Sequence, residues 1–359
     1  MHWSDEIAQR VIEKNPDKEV YTCAAGYSPS GSGHIGNFRD IATSLFVAKA
    51  LERKGKRARL LLSWDEFDRM RKVPANVAAL PDTADLDDCI GKPYVDVRNP
   101  FRTDAPTYAA YFEREFQASI ERFGIRMEYR HQAELYRSGA YRKEIRTALE
   151  KRHAIFDILD SMRTQDAAEG EREAYYPVSI YCPVCGKDST RILTLDDEAR
   201  YACACGYHGS FDFDTDTNCK LGWKIDWAMR WMYEGVDFEP GGKDHASPTG
   251  SYQTSRRISK LVYGYEAPVF QGYEFIGIKG LTGKMSGSSG LNLTPDAMLK
   301  LYEPEVILWL YSKTEPTKAF DFCFDDGILR QYFEFDRMLE EYRGVPRRQG
   351  VRVYRVGDG

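Results

Sequence analysis

Apolar and polar positions along this chain fall into blocks whose period switches between that of a strand and that of a helix. Residues 20–25 form a short apolar run, which predicts a buried strand entering a glycine-rich loop, GYSPSGSGHIGN at 26–37. Beyond Gly36, the stretch NFRDIATSLFVAKALERKG has apolar residues at helical spacing and stops at Gly55. ARLLLSW at 58–64 predicts a second strand, followed by DEFDRM. A helix near 107–123 leads through Gly124 into IRMEYR, a third strand, and residues 139–165 again read as helical. This alternation predicts a parallel α/β sheet wound through crossover helices.

The pattern breaks over 166–222, where a charged stretch, TQDAAEGERE, precedes cysteine pairs and short strand-like pieces. An insertion of this size needs a metal to hold it together. Alternation resumes with DWAMRWMYEG as a helix, VDFEPGG as strand and loop, and YEFIGI as another strand. After GKMSGSSG (283–290) the pattern turns helical, at 295–311 and in GILRQYFEFDRMLEEYRG. The expected architecture is a Rossmann-like, doubly wound parallel sheet. Its halves, 1–165 and 223–292, flank a zinc-binding connective segment at 166–222, and 293–359 forms a helical element with a basic tail.

Composition changes this picture little. The 359 residues are 42% hydrophobic and 29% charged, with a net charge of −5, so the whole chain does not advertise a polyanion partner. No apolar run approaches the ~18 residues needed to span a bilayer. The amino terminus lacks the basic and apolar regions of a secretory signal, so a cytoplasmic enzyme is the expectation. Lys49, Arg53, Lys54, Lys56, Arg57 and Arg59 crowd one helix end, where cations complement the helix dipole. Arg343, Arg347, Arg348, Arg352 and Arg355 fill the tail, which is either simply solvated or a local polyanion surface.

Four of the eight cysteines are patterned. CPVCGK places Cys182 and Cys185 two residues apart, and YACACGYHG brings Cys203 and Cys205, with glycines after each pair. In a chain expected to be cytosolic, this spacing argues for tetrahedral Zn²⁺ rather than disulfides, with His208 as an alternative ligand. A reduced, metal-free cluster is the other reading. Four protein ligands leave no open position, so the zinc is structural.

Gly31, Gly33 and Gly36 satisfy the G-x-G-x-x-G pattern, but a dinucleotide site wants an acidic residue ~20 positions on, where Lys54, Lys56 and Arg57 stand. The Gly-Lys-Ser/Thr ending of a phosphate-binding Walker loop is also missing. His34-Ile35-Gly36-Asn37 instead resembles the His-Ile-Gly-His element of class I aminoacyl-tRNA synthetases, and GKMSGSSG resembles their Lys-Met-Ser-Lys-Ser element. SPSGSGHIGNFRD, SWDEFDRMRKVP, IGKPYVDVRNPF, GWKIDWAMRWMYEGVDFEPGGKDH and YEFIGIKG narrow the resemblance to class I lysyl-tRNA synthetases, from about residue 4 to about residue 340.

That resemblance implies ATP-dependent activation of L-lysine to lysyl-adenylate and its transfer to tRNA, with Mg²⁺ sharing the phosphate charge. His34, Asn37 and Lys284 are the implied catalytic residues. Gly33, Gly36, Gly242, Asp244, Met285 and Ser286 join them around ATP. Gly26, Ser28, Trp223, His245 and Tyr273 are implied around lysine, with Asp226 as the expected partner of a substrate ammonium. Taken alone, Trp223 and Tyr273 read as ordinary core packing and His245 as a structural histidine, and only their positions in the resemblance assign them to lysine.

Two departures from the family pattern bear on function. No second lysine follows Lys284 in KMSGSSG, a loss worth about 1.5–3 kcal/mol of charge-assisted hydrogen bonding. The family also carries a helical anticodon-binding domain beyond the helical element, whereas this sequence stops at Gly359. Besides a lysyl-tRNA synthetase, two other readings follow. One is a paralogue that activates lysine or a related amino acid for a non-tRNA acceptor. The other is a catalytically silent relative that binds RNA or a metabolite. A separate partner supplying the missing domain is a further expectation.

Overall fold

The computed structural model describes residues 2–163, 165–280 and 293–344. Its first half supplies strands β1 (Val20–Tyr27), β2 (Arg57–Trp64) and β3 (Glu128–His131). Strands β4 (Val178–Ile180), β5 (Thr190–Leu195), β6 (Ala199–Cys203), β7 (His208–Phe211) and β8 (Cys219–Leu221) lie in the segment that interrupts the alternation. β9 (Val236–Gly242) and β10 (Val269–Tyr273) return to the main sheet, followed by β11 (Ile276–Ile278) and β12 (Phe320–Phe322). The central sheet has the order β10-β9-β1-β2-β3, and every pairing in it is parallel.

Both faces of this sheet are covered, which is why its central strand reads as an unbroken apolar run rather than an alternation. On one face, Ile7, Val11, Val47 and Leu51 pack with Tyr21, Cys23 and Phe238. These four come from the helices Trp3–Lys14 and Ile35–Arg53. On the other face, Trp227, Trp231 and Ile258 pack with Ala24 and Val236. They come from the helices Trp223–Glu234 and Ser251–Tyr263. From β1 the chain winds outward through β2 to β3, then crosses back to β9 and β10 on the other side. This reversal leaves a crevice beyond the carboxyl ends of β1 and β9, the usual ligand position of such sheets.

The inserted segment contains two antiparallel sheets, β4-β8 and β5-β6-β7. Its apolar side chains, among them Ile192, Tyr201, Phe211 and Phe213, join the same cluster as Phe67 and Trp227. The Tyr181 hydroxyl donates to the Phe67 carbonyl at 2.6 Å, tying the insertion to the DEFDRM stretch.

Several element boundaries differ from the sequence expectation. YEFIGI is not one strand: Tyr273 ends β10, while Ile276–Ile278 pairs with β12 outside the central sheet. β10 itself, opening at Val269, went unanticipated. Helix 139–165 is two helices meeting at Lys151, and 295–311 is two, each with a proline at its start, Pro295 and Pro304. Proline's fixed φ and missing N–H suit a first helical turn and not an interior one, so Pro304 restarts the helix. Of the cations near the end of helix Ile35–Arg53, Arg53 pairs with Asp5 and Lys49 with Glu52, while Arg57 and Arg59 belong to β2, where Arg59 pairs with Glu128 and Glu234. No helix among the described residues is long and apolar enough to cross a membrane. The GKMSGSSG loop, with Lys284, Met285 and Ser286, lies outside the described residues, as do Arg347, Arg348, Arg352 and Arg355.

Candidate active site

The crevice at the sheet's switch point is a cleft of about 220 Å³. Gly26 of β1, Ser63 of β2, Gly241 and Gly242 of β9, and Tyr273 of β10 line it, with Asn37 and Asp40 from helix Ile35–Arg53 and Trp223 and His245 at the mouth. The sequence-derived residues Gly26, Asn37, Trp223, Gly242, His245 and Tyr273 therefore meet around one space. A Cβ on Gly242 would touch no other atom, so a bare backbone faces the cleft there. Gly33 has a different reason to be glycine: a Cβ would lie 2.4 Å from the Phe116 ring.

His34 and Asn37 form a reciprocal cap on helix Ile35–Arg53. The His34 Nδ1 accepts the N–H of Gly36 at 3.0 Å and of Asn37 at 3.3 Å, and the Asn37 Oδ1 accepts the His34 N–H at 3.1 Å. An imidazole nitrogen that accepts backbone N–H groups carries no proton, so the proton of the neutral ring sits on Nε2, which becomes a donor. A donor at a helix amino terminus is suited to phosphate oxygens.

The floor of the cleft is a buried charge network. Asp226 is 1% exposed and pairs with both Lys220 and Arg230 at 3.1 Å, while the Tyr136 hydroxyl donates to it. Lys220 also pairs with Asp68 at 3.0 Å, and Arg230 with Asp65 at 2.6 Å. Burial alone would raise the pKa of Asp226, but Arg230 and Lys220 prevail and hold it below the ordinary carboxylate value. Asp226 does not line the cleft. Its carboxylate is already engaged by two cations, so the expected role as partner of a substrate ammonium does not fit its position. Asp65, which does line the cleft, is pushed up to about 6 by burial in spite of Arg230.

The wall opposite is unlike the floor. Asp40 lines the cleft beside the Tyr273 hydroxyl, which favours its charged form, and has an Oδ1 that is buried with no hydrogen-bond partner among the described residues. Among the described residues it has no ion pair, and burial drives its pKa well above the ordinary value. Glu239 beside it accepts the Trp231 indole N–H and is likewise raised by burial. Trp223, 37% exposed, lies 5.6 Å from His245 between ring centroids and edge-on to Trp227. Asp40 was missed in the sequence, although it stands one helical turn after Asn37 and so shares its face. Ser28, Gly33, His34, Gly36 and Asp244 are not among the lining residues. Ser28 accepts the Ser30 N–H through its carbonyl at 2.7 Å, and Asp244 lies on the short helix Lys243–Ala246.

Away from the cleft, Cys182, Cys185, Cys203 and Cys205 bring four sulfur atoms within 4.8 Å of one another, and none is in a disulfide. Gly186 and Gly206 take φ of +74° and +92°, the left-handed turn each knuckle needs. The Val184 N–H donates to the Cys182 sulfur at 3.4 Å. This donor set is compatible with zinc. His208 is in β7 and is not part of the cluster.

Comparison with known proteins agrees with this arrangement. Residues 1–357 match the family model described as tRNA synthetases class I (K). The lysine–tRNA ligase of Treponema pallidum (strain Nichols) is 40% identical over 339 residues, covering 94% of this chain and 63% of the relative. That of Pyrococcus horikoshii is 39% identical over 347 residues, covering 96% and 65%. That of Borreliella burgdorferi is 38% identical over 346 residues, also covering 96% and 65%. The chain thus spans 63–65% of the length of these relatives. With nearly every residue inside the family match and the histidine cap set at the sheet's switch point, the chain belongs to the class I tRNA synthetases (K).

Proposed function

We propose that the chain activates L-lysine with ATP to lysyl-adenylate and transfers the lysyl group to tRNA. The observation that carries this reading is the asymmetry of the cleft. Asn37 of the helix cap lines one edge, and Asp40, with no ion pair among the described residues, lines the other. Lysine brings an ammonium that needs such a wall, and ATP brings an anion that needs such a cap.

Activation joins the lysine carboxylate to the α-phosphate and expels pyrophosphate, so positioning and charge stabilisation supply most of the catalysis. Helix Ile35–Arg53 would direct the His34 Nε2–H and the Asn37 amide toward phosphate oxygens, with Gly33 and Gly36 leaving bare backbone against Phe116 and the His34 ring. Gly242 offers flat backbone to the adenosine, and Asp244 is assigned to the ribose hydroxyls. Mg²⁺ would enter with ATP as part of the substrate and would share the charge of the leaving pyrophosphate. Lys284, Met285 and Ser286 are assigned to the same phosphates from the sequence motif. The lysine ammonium is assigned to Asp40, in place of Asp226. Gly26, Trp223, His245 and Tyr273 enclose the rest of the amino acid, and Ser28 borders it in sequence. Cys182, Cys185, Cys203 and Cys205 would hold structural Zn²⁺, a thiolate set that suits a reducing cytoplasm.

The test is lysine-dependent exchange of pyrophosphate into ATP, run with and without tRNA. Exchange together with lysyl-tRNA formation is the expected result. Exchange without charging would redirect the acceptor to another molecule, and tight ATP binding without exchange in either condition would make the chain a binding protein.

A further inference from the structure

A second cluster of potential ligands lies outside the cleft, where the carboxyl ends of β2 and β3 meet helix Tyr108–Arg122. Glu66, Glu113 and His131 each offer one ligand atom, and the three atoms lie within 4.8 Å of one another. The His131 Nδ1 is 3.6 Å from the Glu113 Oε2 and 4.0 Å from the Glu66 Oε1. Ligands at zinc bonding distances, about 2.0–2.2 Å, stand about 3.4 Å apart around a tetrahedral ion, so small side-chain movements would close the set.

Each member is held from behind. Glu66 accepts the N–H of Ala133 at 2.8 Å and of Gln132 at 3.2 Å, which fixes its carboxylate at the start of helix Gln132–Arg137. The His131 ring stacks on Trp64, with centroids 6.5 Å apart. Outer contacts of this kind are what orient metal ligands. Glu113 is 9% exposed, and its Oε1 is buried without a hydrogen-bond partner. Among the described residues no lysine or arginine pairs with either glutamate, so two carboxylates stand together without a basic partner there other than His131. The His131 side chain is 37% exposed, which leaves an entry path and room for a water ligand.

We propose that Glu66, Glu113 and His131 form a divalent-metal site, selective for Zn²⁺ or a similar borderline ion, that clasps helix Tyr108–Arg122 to the ends of β2 and β3. Two carboxylate oxygens and one imidazole nitrogen suit zinc better than Mg²⁺ or Ca²⁺, which prefer all-oxygen shells. None of the three residues lines the cleft, so the site stands independently of the amino-acid activation reading. The ion would brace the helix whose Phe116 packs beneath Gly33.

The experiment is a metal count by mass spectrometry on the full chain, after dialysis against Zn²⁺ and gel filtration. The wild type should carry two zinc ions, one in the cysteine cluster and one here. Glu113→Gln and His131→Ala should each carry one while keeping the wild-type circular dichroism spectrum. A Co²⁺-loaded wild type should show, beside the intense thiolate bands, a weak set without sulfur character. This spectrum decides the matter should either variant fail to fold. A single zinc in the wild type with only thiolate bands for Co²⁺, or two zinc ions retained in both variants, would overturn the proposal.

Discussion

The floor and the wall of the cleft both bury carboxylates, and they do so under opposite terms. On the floor, Asp226 is enclosed by Lys220, Arg230 and the Tyr136 hydroxyl, and its charge is stabilised below the ordinary pKa. On the wall, Asp40 faces Tyr273, has one oxygen without a hydrogen-bond partner among the described residues, and has its pKa driven up. A buried charge that is fully paired is part of the architecture, because removing it strands its partners. A buried charge left unpaired is tolerated where a ligand completes it. The difference separates residues that build the cleft from residues that await the substrate.

Breaking the floor should produce the largest effect. Asp226→Ala leaves Lys220 and Arg230 buried with an anion removed, and should lower the unfolding free energy by about 3–5 kcal/mol in urea titration. A loss below about 1 kcal/mol would mean that the floor is hydrated and the contrast false. Breaking the wall should act on function instead. Asp40→Asn should weaken lysine in the exchange assay by about 1.5–3 kcal/mol, roughly ten- to hundredfold, while stability holds or improves. Equal lysine KM in mutant and wild type would remove Asp40 from the site. Trp223→Ala at the mouth should be milder, with a lysine affinity loss of about 0.5–2 kcal/mol and an unchanged urea midpoint.

The smallest effect is one of pH, and it sharpens the comparison because Asp40 on the wall and Asp226 on the floor titrate with opposite sign, while Asp65, although paired with Arg230, follows Asp40. Asp65 and Asp40 have raised pKa values in the fold, so their protonated forms favour it. Their contribution to stability is complete below the ordinary carboxylate value of about 3.8 and fades as pH rises, for Asp65 through about 6. Asp226 is lowered, so its contribution stands above 3.8 and is lost only in stronger acid. Between pH 7 and pH 5 the protein should therefore gain slightly in stability while lysine binding, measured by calorimetry, weakens on the order of a few-fold. Lysine binding that tightens toward pH 5 would contradict an anionic cleft.

Much of the fold could be read along the chain. The runs at 20–25 and 58–64 became β1 and β2 because strands buried on both faces are continuously apolar. The His34–Asn37 cap was legible for a similar reason, since both its partners lie within one helical turn. The loss of continuity at YEFIGI was not legible: four apolar or aromatic residues in six do not reveal that the chain leaves one sheet for another between Tyr273 and Ile276. The misplacement of Asp226 had a local warning, because Arg230 stands four residues on along the same helix face.

What the amino-acid order determined by itself is everything set by neighbours: helix and strand period, the cap, the cysteine knuckles, and the glycines that keep the cleft open. What only the tertiary structure decided is the state of each charge. Asp65 meets Arg230, and Tyr273 meets Asp40, through crossovers that join distant parts of the chain. The physical reason is range. Periodicity and capping are enforced by hydrogen bonds that span a few residues, whereas the free energy of a buried carboxylate depends on which cations the fold happens to carry alongside it.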